Sequence, residues 1–188
     1  MKLPGAARLA LVVAAISSSG ALLGSQEVAP SDNAELARMF EEDQADRRPG
    51  PNGIDWAAVK PRDDARLART KELYAAGALQ TGPDWLHAAL ILQHSEQSDD
   101  YLLAHEMCVA ALAAGERNAR WLAAATEDRF LRSLGRRQRF GTQYEAGQEA
   151  GTFRLAETDP QVTDELRQAL GAPTLAEAKA RESQFNEK

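Results

Sequence analysis

The sequence predicts a single, mainly α-helical domain with a small β-hairpin near the C-terminal third. Alanine accounts for 36 of the 188 residues and aromatic residues for only 6%, a composition that favours packed helices over sheets. After Gly135 the pattern changes to alternation over Gln138–Tyr144. A glycine-containing turn then leads to Thr152–Leu155, and the two segments predict the strands of a hairpin.

Capping residues and glycine or proline breakers divide the chain before Gly135 into five predicted helices. Asp32-x-x-Glu35 resembles a capping box, Pro61 is tolerated in a first helical turn, and Thr81–Asp84 opens the third helix. The helices are predicted at about 31–48, 62–77, 84–94, 101–114 and 118–134, with two shorter ones at 162–170 and from Thr174. The short loops predict antiparallel helical hairpins that are loosely tetratricopeptide-like.

The N-terminus has the pattern of a secretory signal peptide. Lys2 and Arg8 precede and flank the apolar run Leu9–Ile16, and Ser17–Ala21 offers small residues for cleavage. A retained anchor needs roughly twenty apolar residues, so we expect no stable membrane anchor after cleavage. The predicted organisation is a signal peptide at 1–21, a leader at 22–30, one helical domain at 31–180 and a charged tail at 181–188. The protein is therefore expected to be periplasmic or secreted.

Charge and cysteine content exclude two further classes. The net charge is −6 and the isoelectric point is about 5.2, which argues against general binding to a nucleic-acid backbone. Cys108 is the only cysteine, so no internal disulfide can form. Its apolar neighbours predict an inert core position, with a nucleophilic thiol as the weaker alternative.

Several polar residues fall on apolar helix faces. On the first helix, Asp43 and Arg47 continue the stripe of Leu36 and Phe40. This pattern indicates either a helix end that emerges into solvent or a site. The third helix is apolar almost all round, with His87, Gln93 and His94 as its polar side chains after Asp84.

The spacing of the histidines argues against a shared metal ion. His87 and His94 lie about 10.5 Å apart along a helix axis, too far for bonds of about 2 Å to one ion. No metal or other cofactor is therefore predicted. Glu127, within the apolar stripe of the fifth helix, and the neighbouring Asp128 are the carboxylates that could face His94. Such a pairing suits general acid–base chemistry and suits a structural polar network equally well.

Five arginines follow within eleven residues: Arg129, Arg132, Arg136, Arg137 and Arg139. In an acidic protein such a patch is able to bind a phosphate or a carboxylate, although a solvated face is the more common outcome. The common catalytic signatures, such as a phosphate-binding loop or HExxH, are absent from the sequence.

Five segments in order resemble the bacterial family known as domain of unknown function 6624. They are Asp43–Arg47, Ile91–His94, Asp128–Arg129, Gln138–Gln143 and Asp164–Pro173, and the resemblance covers about residues 35–175. This chain has Ser95 where the family often has glycine. The resemblance implies a shared fold and a shared site, and it implies no activity because none is assigned to the family.

The predicted function is the binding of a small polar ligand or peptide in a polar cleft outside the cytoplasm. The alternatives are a hydrolase or lyase, with a histidine–carboxylate pair and an arginine anion site, and a structural network without a ligand. The catalytic candidates are His94, Asp128 and Glu127. The ligand-binding candidates are Asp43, Gln44, Arg47, Gln93, Arg129, Gln138, Thr142 and Gln143.

Overall fold

The computed structural model describes residues 30–50, 53–149 and 151–187. The predicted signal peptide, and all but the last residue of the predicted leader, lie outside this part of the chain. The elements are α1 (Ala34–Arg47), α2 (Trp56–Ala75), α3 (Gly82–Leu92), α4 (Ser98–Ala113), α5 (Ala119–Ser133), β1 (Tyr144–Ala146), β2 (Phe153–Leu155), α6 (Asp164–Ala169) and α7 (Leu175–Asn186). Among these helices, none is long and apolar enough to cross a bilayer.

The prediction of a mainly helical fold with a small antiparallel β-hairpin in the C-terminal third is confirmed. α4 packs against both α3 and α5, its neighbours in the chain, and α1 and α2 pack against α3. The buried alanines Ala88, Ala104 and Ala111 lie at these contacts and allow the helix backbones to approach closely. The main core therefore lies among the first five helices.

Asp84 joins the starts of two helices. Its carboxylate accepts hydrogen bonds from the amides of Gln80 and Thr81, which completes a capping box with the Thr81 hydroxyl. The other carboxylate oxygen accepts from the amide of Asn33 at 2.7 Å. The Asn33 side chain in turn accepts from Leu36, so α1 begins after Asn33 and the predicted start at Ser31 or Asp32 is wrong.

α2 begins earlier than predicted. Asp55 caps the helix through the amide of Ala58, which places Pro61 inside the helix instead of in its first turn. Pro61 lacks an amide hydrogen and cannot complete the bond to the carbonyl four residues earlier. The helix nevertheless continues to Ala75, because Val59 and Leu73 bury apolar surface on either side of the proline.

The strands of the hairpin are shorter than the sequence predicts. β1 covers only Tyr144–Ala146, which pairs with Phe153–Leu155, and the preceding residues 139–143 form a loop. Gln138 makes an isolated parallel bridge with Thr158. The prediction of a strand over 138–144 is therefore wrong for most of its length, because a buried carboxylate binds the amides of the loop, as described below.

The C-terminal helix covers the outer edge of the hairpin. Asn186 donates to the carbonyl of Phe153 at 2.7 Å and accepts from its amide at 2.8 Å. Glu182 accepts from the amide of Leu155 at 2.8 Å. These side chains satisfy backbone groups that an edge strand leaves unpaired. The residues predicted as a charged tail from 181 are therefore helical through Asn186 and belong to the folded domain.

Candidate functional site

An ion-pair network joins α1 to α2. Asp43 is only 1% exposed and accepts from Arg47 Nη1 at 2.8 Å. Arg47 Nη2 donates to Asp63 Oδ2 at 2.8 Å. Arg66 Nη2 donates to Asp63 Oδ1 at 2.6 Å and to Asp46 Oδ2 at 2.8 Å. The network, defined by these five residues, holds three carboxylates and two guanidinium groups in a partly buried position.

Hydrogen bonds from arginine lower the pKa values of Asp46 and Asp63. Burial raises the pKa of Asp63, but hydrogen bonds from Arg47 and Arg66 outweigh it and lower the pKa below its ordinary value. The pKa of Asp46 is lowered chiefly by hydrogen bonding from Arg62, against the opposing effect of burial. These ion pairs therefore stabilise the contact between α1 and α2.

His94 and Gln44 lie at the edge of the network. Gln44 Nε2 donates to Asp43 Oδ2 at 2.9 Å. His94 Nε2 lies 3.5 Å from the same oxygen, but it is buried without a hydrogen-bond partner of acceptable geometry. The carboxylate beside His94 is thus that of Asp43, because α1 packs against α3. The predicted pairing of His94 with Asp128 or Glu127 is not the one that the structure forms.

Asp128 organises the loop between α5 and β1. It is fully buried, and its Oδ1 accepts from the amides of Arg139 at 2.7 Å and Phe140 at 3.0 Å. Its Oδ2 accepts from the amide and the hydroxyl of Thr142. A carboxylate with four such donors and no exposed surface cannot contact a substrate. Asp128 therefore shapes the fold, and its predicted catalytic role does not fit this geometry.

Gln138 also holds the loop between α5 and β1. Its side chain is fully buried, and Nε2 donates to the carbonyls of Gln143 at 2.9 Å and Ala156 at 2.8 Å. Its Oε1 accepts from the amide of Gln143 at 2.9 Å. Gln138 and Thr142, both predicted to bind a ligand, thus use their side chains to hold the loop. Glu127 is partly exposed, and its Oε1 lies 3.3 Å from Arg139 Nε.

Two predicted ligand-binding residues, Arg129 and Gln143, do meet at a cavity. This Arg129 pocket lies between the start of α4, the end of α5 and the loop that Asp128 organises, and its volume is about 310 Å³. Its lining residues are Glu96, Tyr101, Arg129, Arg132, Ser133 and Gln143. The fold of the loop places the Gln143 side chain here, where its Nε2 donates to Thr142 Oγ1 at 3.0 Å.

The guanidinium group of Arg129 has no acidic ion-pair partner among the residues that the structure describes. Its Nε is buried without a hydrogen-bond partner, and among the described residues no carboxylate lies within ion-pair distance. Burial lowers the pKa of Arg129, the neighbouring Tyr101 hydroxyl partly offsets that effect, and the charge of Arg132 lowers the pKa further. A desolvated cation without a counterion is unfavourable in the free protein and favours the binding of an anion.

The remaining candidates lie apart from this pocket. Asp43, Gln44 and Arg47 belong to the α1–α2 side of the molecule, and Gln93 is buried at the C-cap of α3. His94, which lies beside Asp43 of the ion-pair network, is the next residue, and Glu96, which lines the Arg129 pocket, is two residues further along the chain. Within the residues described, no group of three or more possible ligands is arranged to hold a metal ion.

Sequence reasoning missed Tyr101 and Glu96 as part of the site. In the sequence, Tyr101 falls on the same helix face as Cys108 and Leu112, which is a core pattern. The available signal was the position of Tyr101 in the first turn of α4, four residues before His105. At that end of the helix the tyrosine side chain is partly exposed. Its proximity to Arg129 depends on how α4 packs against α5.

No protein-family model matches the chain, and no curated protein or solved structure shows significant similarity to it. The resemblance to the family of domain of unknown function 6624 therefore stays a prediction.

Proposed function

We propose that this protein is an extracytoplasmic binding module whose Arg129 pocket holds the carboxylate group of a small polar ligand or peptide. The observation that carries the proposal is that Arg129 lines a pocket in which, among the described residues, no acidic side chain forms an ion pair with its guanidinium group. A planar guanidinium binds a carboxylate through two parallel hydrogen bonds, which would remove the unfavourable state of the free pocket.

The side chains next to Arg129 suit a ligand group that carries a single negative charge. The Tyr101 hydroxyl is a hydrogen-bond donor on the pocket wall, and Arg132, which also forms an ion pair with Glu145, adds a second guanidinium group. Glu96 contributes one negative charge to the same lining and would repel a second anionic group. A volume of about 310 Å³ is at the small end of ligand pockets, which typically span roughly 300–1,000 Å³.

Two features of the sequence support the proposed location outside the cytoplasm and the proposed binding pocket. The predicted signal peptide at 1–21 supports a location outside the cytoplasm. The segments that resemble domain of unknown function 6624 include Arg129 and Gln143, which supports a pocket shared with that family. Both features are read from the sequence alone and are part of what we propose.

The alternative, a hydrolase or lyase, has weaker geometric support. His94 would have to act with Asp43, whose carboxylate is 1% exposed and already binds Arg47 and Gln44. A general acid or base must reach the substrate directly or through one water molecule. The binding module is therefore the function that the geometry supports better.

Calorimetric titration of the mature chain tests the proposal. Acetate and N-acetylalanine carry a carboxylate, and N-acetylalanine amide is the uncharged control ligand. We expect saturable binding of at least one carboxylate, none of the amide, and loss of binding in Arg129→Gln. Arg120→Gln removes an equal charge from an exposed position on α5 and should leave the affinity unchanged. Equal binding by wild type and Arg129→Gln would overturn the assignment.

A further inference from the structure

A second basic surface, the arginine cleft, lies between the C-terminal end of α5 and the β-hairpin. Its volume is about 570 Å³, close to twice that of the Arg129 pocket. The charged residues that line it are Arg132, Arg136, Arg137, Arg154, Glu145 and Glu157. Four of the six are cations, so the cleft carries a net charge of +2 in a protein whose net charge is −6.

Shared ion pairs hold the walls of the cleft. Glu145 accepts a hydrogen bond from Arg132 Nη2 at 2.6 Å and forms an ion pair with Arg154 Nη2 at 2.6 Å, so one carboxylate is shared by two guanidinium groups. Glu157 pairs with Arg137 at 2.6 Å. Arg136 is exposed, and no ion pair links it to any carboxylate in the described part of the chain. The cleft therefore has more guanidinium donors than its two carboxylates occupy.

The cleft is a product of the tertiary fold. Glu145 and Arg154 face each other across the two strands of the hairpin, and Arg132 reaches them from the last turn of α5. Arg154 lies far from the arginine run of 129–139 in the sequence. A run of arginines on a solvated face would not by itself bring cations from a helix, a loop and a strand around one cavity.

We propose that the arginine cleft binds a small anion that carries two or more neighbouring negative charges, such as a diphosphate or a polycarboxylate. Guanidinium groups form paired, charge-assisted hydrogen bonds with phosphate and carboxylate oxygens. Several guanidinium groups around one cavity favour a multiply charged ligand over a single carboxylate. The cleft shares Arg132 with the Arg129 pocket, but Arg129 does not line it, and its ligand differs in charge.

Titration with inorganic pyrophosphate and with citrate tests the proposal in the full mature chain, in buffer that contains about 150 mM salt, where loosely held surface ions are screened. The cleft variants are Arg136→Gln and Arg154→Gln, both at exposed positions. Arg117→Gln is the matched control, because it removes the same charge from an exposed residue next to the opposite end of α5.

We expect saturable binding of at least one of the two anions, weakened about tenfold by each cleft variant and less than about twofold by the control. Binding of pyrophosphate but not of citrate would assign the cleft to phosphate groups. Binding of citrate but not of pyrophosphate would assign it to polycarboxylates. Absence of saturable binding, or equal weakening by Arg117→Gln, would overturn the proposal. Arg129→Gln should leave the binding of these anions unchanged. A negative result for the arginine cleft can therefore be distinguished from a negative result for the Arg129 pocket.

Discussion

Asp128 and Thr142 are joined by two hydrogen bonds that end on the same carboxylate oxygen, one from the Thr142 amide at 3.1 Å and one from its hydroxyl at 2.7 Å. Together with the bonds from Arg139 and Phe140, they hold the chain in a loop around one buried carboxyl group. This loop positions Gln143 on the wall of the Arg129 pocket. Asp128 thus supports the proposed site without touching its ligand.

Removal of the Asp128 carboxylate should destabilise the domain strongly. Asp128→Ala leaves four donors without their acceptor, and each buried unpaired donor costs about 1–3 kcal/mol before relaxation. We expect a loss of roughly 3–5 kcal/mol in the free energy of unfolding, measured by urea denaturation. The adjacent Glu127→Ala, at a partly exposed position, is the control and should lose less than about 1 kcal/mol. Similar losses of unfolding free energy in the two variants would contradict the structural role of Asp128.

The ion-pair network and the Asp128 loop should behave as independent units. The two groups share none of their hydrogen-bond partners. The destabilisations of Asp43→Asn and Thr142→Ala should therefore add within about 0.5 kcal/mol in the double variant. Denaturation of the two single variants and the double variant measures this sum. A coupling well above that value would mean that the two groups form one site.

Stability should fall in mild acid because of the network. The pKa values of Asp46 and Asp63 are lowered in the folded protein, so their ionised forms stabilise the fold above the unfolded pKa of about 3.9. That contribution is lost as the pH falls through the folded pKa values. We expect the urea midpoint to decrease from about pH 5 downwards, and Asp63→Asn to flatten the decrease. A midpoint that stays constant down to pH 3 would contradict this account.

Cys108 should be inert in the native protein. The side chain is fully buried, and burial raises the pKa of its thiol to about 12, against a smaller opposing effect of hydrogen bonding to Thr126. The reactive thiolate is therefore scarce at neutral pH. Labelling with a polar thiol reagent should be slow in the native state and fast in urea. Equal rates in both states would show an accessible thiol.

Local sequence patterns predicted two helix starts whose partners are close in the chain, whereas Asp32-x-x-Glu35 does not cap α1. Thr81 with Asp84, and Thr174 with Glu177, mark helix starts three residues apart, and both form capping boxes. The loop around Asp128 was not predicted, because its donors lie 11–14 residues away in a segment whose alternation resembles a strand.

The candidate site was predicted only in part, for a related reason. Arg129 and Gln143 were recognised as polar residues in suggestive positions, but the cavity they share with Tyr101 depends on how α4 packs against α5. The pairing of His94 with Asp43 likewise follows from the contact between α1 and α3. Helical periodicity shows which face a side chain occupies and leaves open which helix that face meets.

The claim that Arg129 binds the carboxylate of a ligand is tested by the thermal melting of Arg129→Met, with and without N-acetylalanine. Methionine retains most of the apolar volume of arginine and removes the unpaired charge. If Arg129 is kept for a ligand, the variant should melt at or above the wild-type temperature without ligand, because a desolvated cation is lost. The stabilisation that N-acetylalanine confers on the wild type should disappear in the variant. A variant that melts several degrees lower and is still stabilised by N-acetylalanine would contradict the claim.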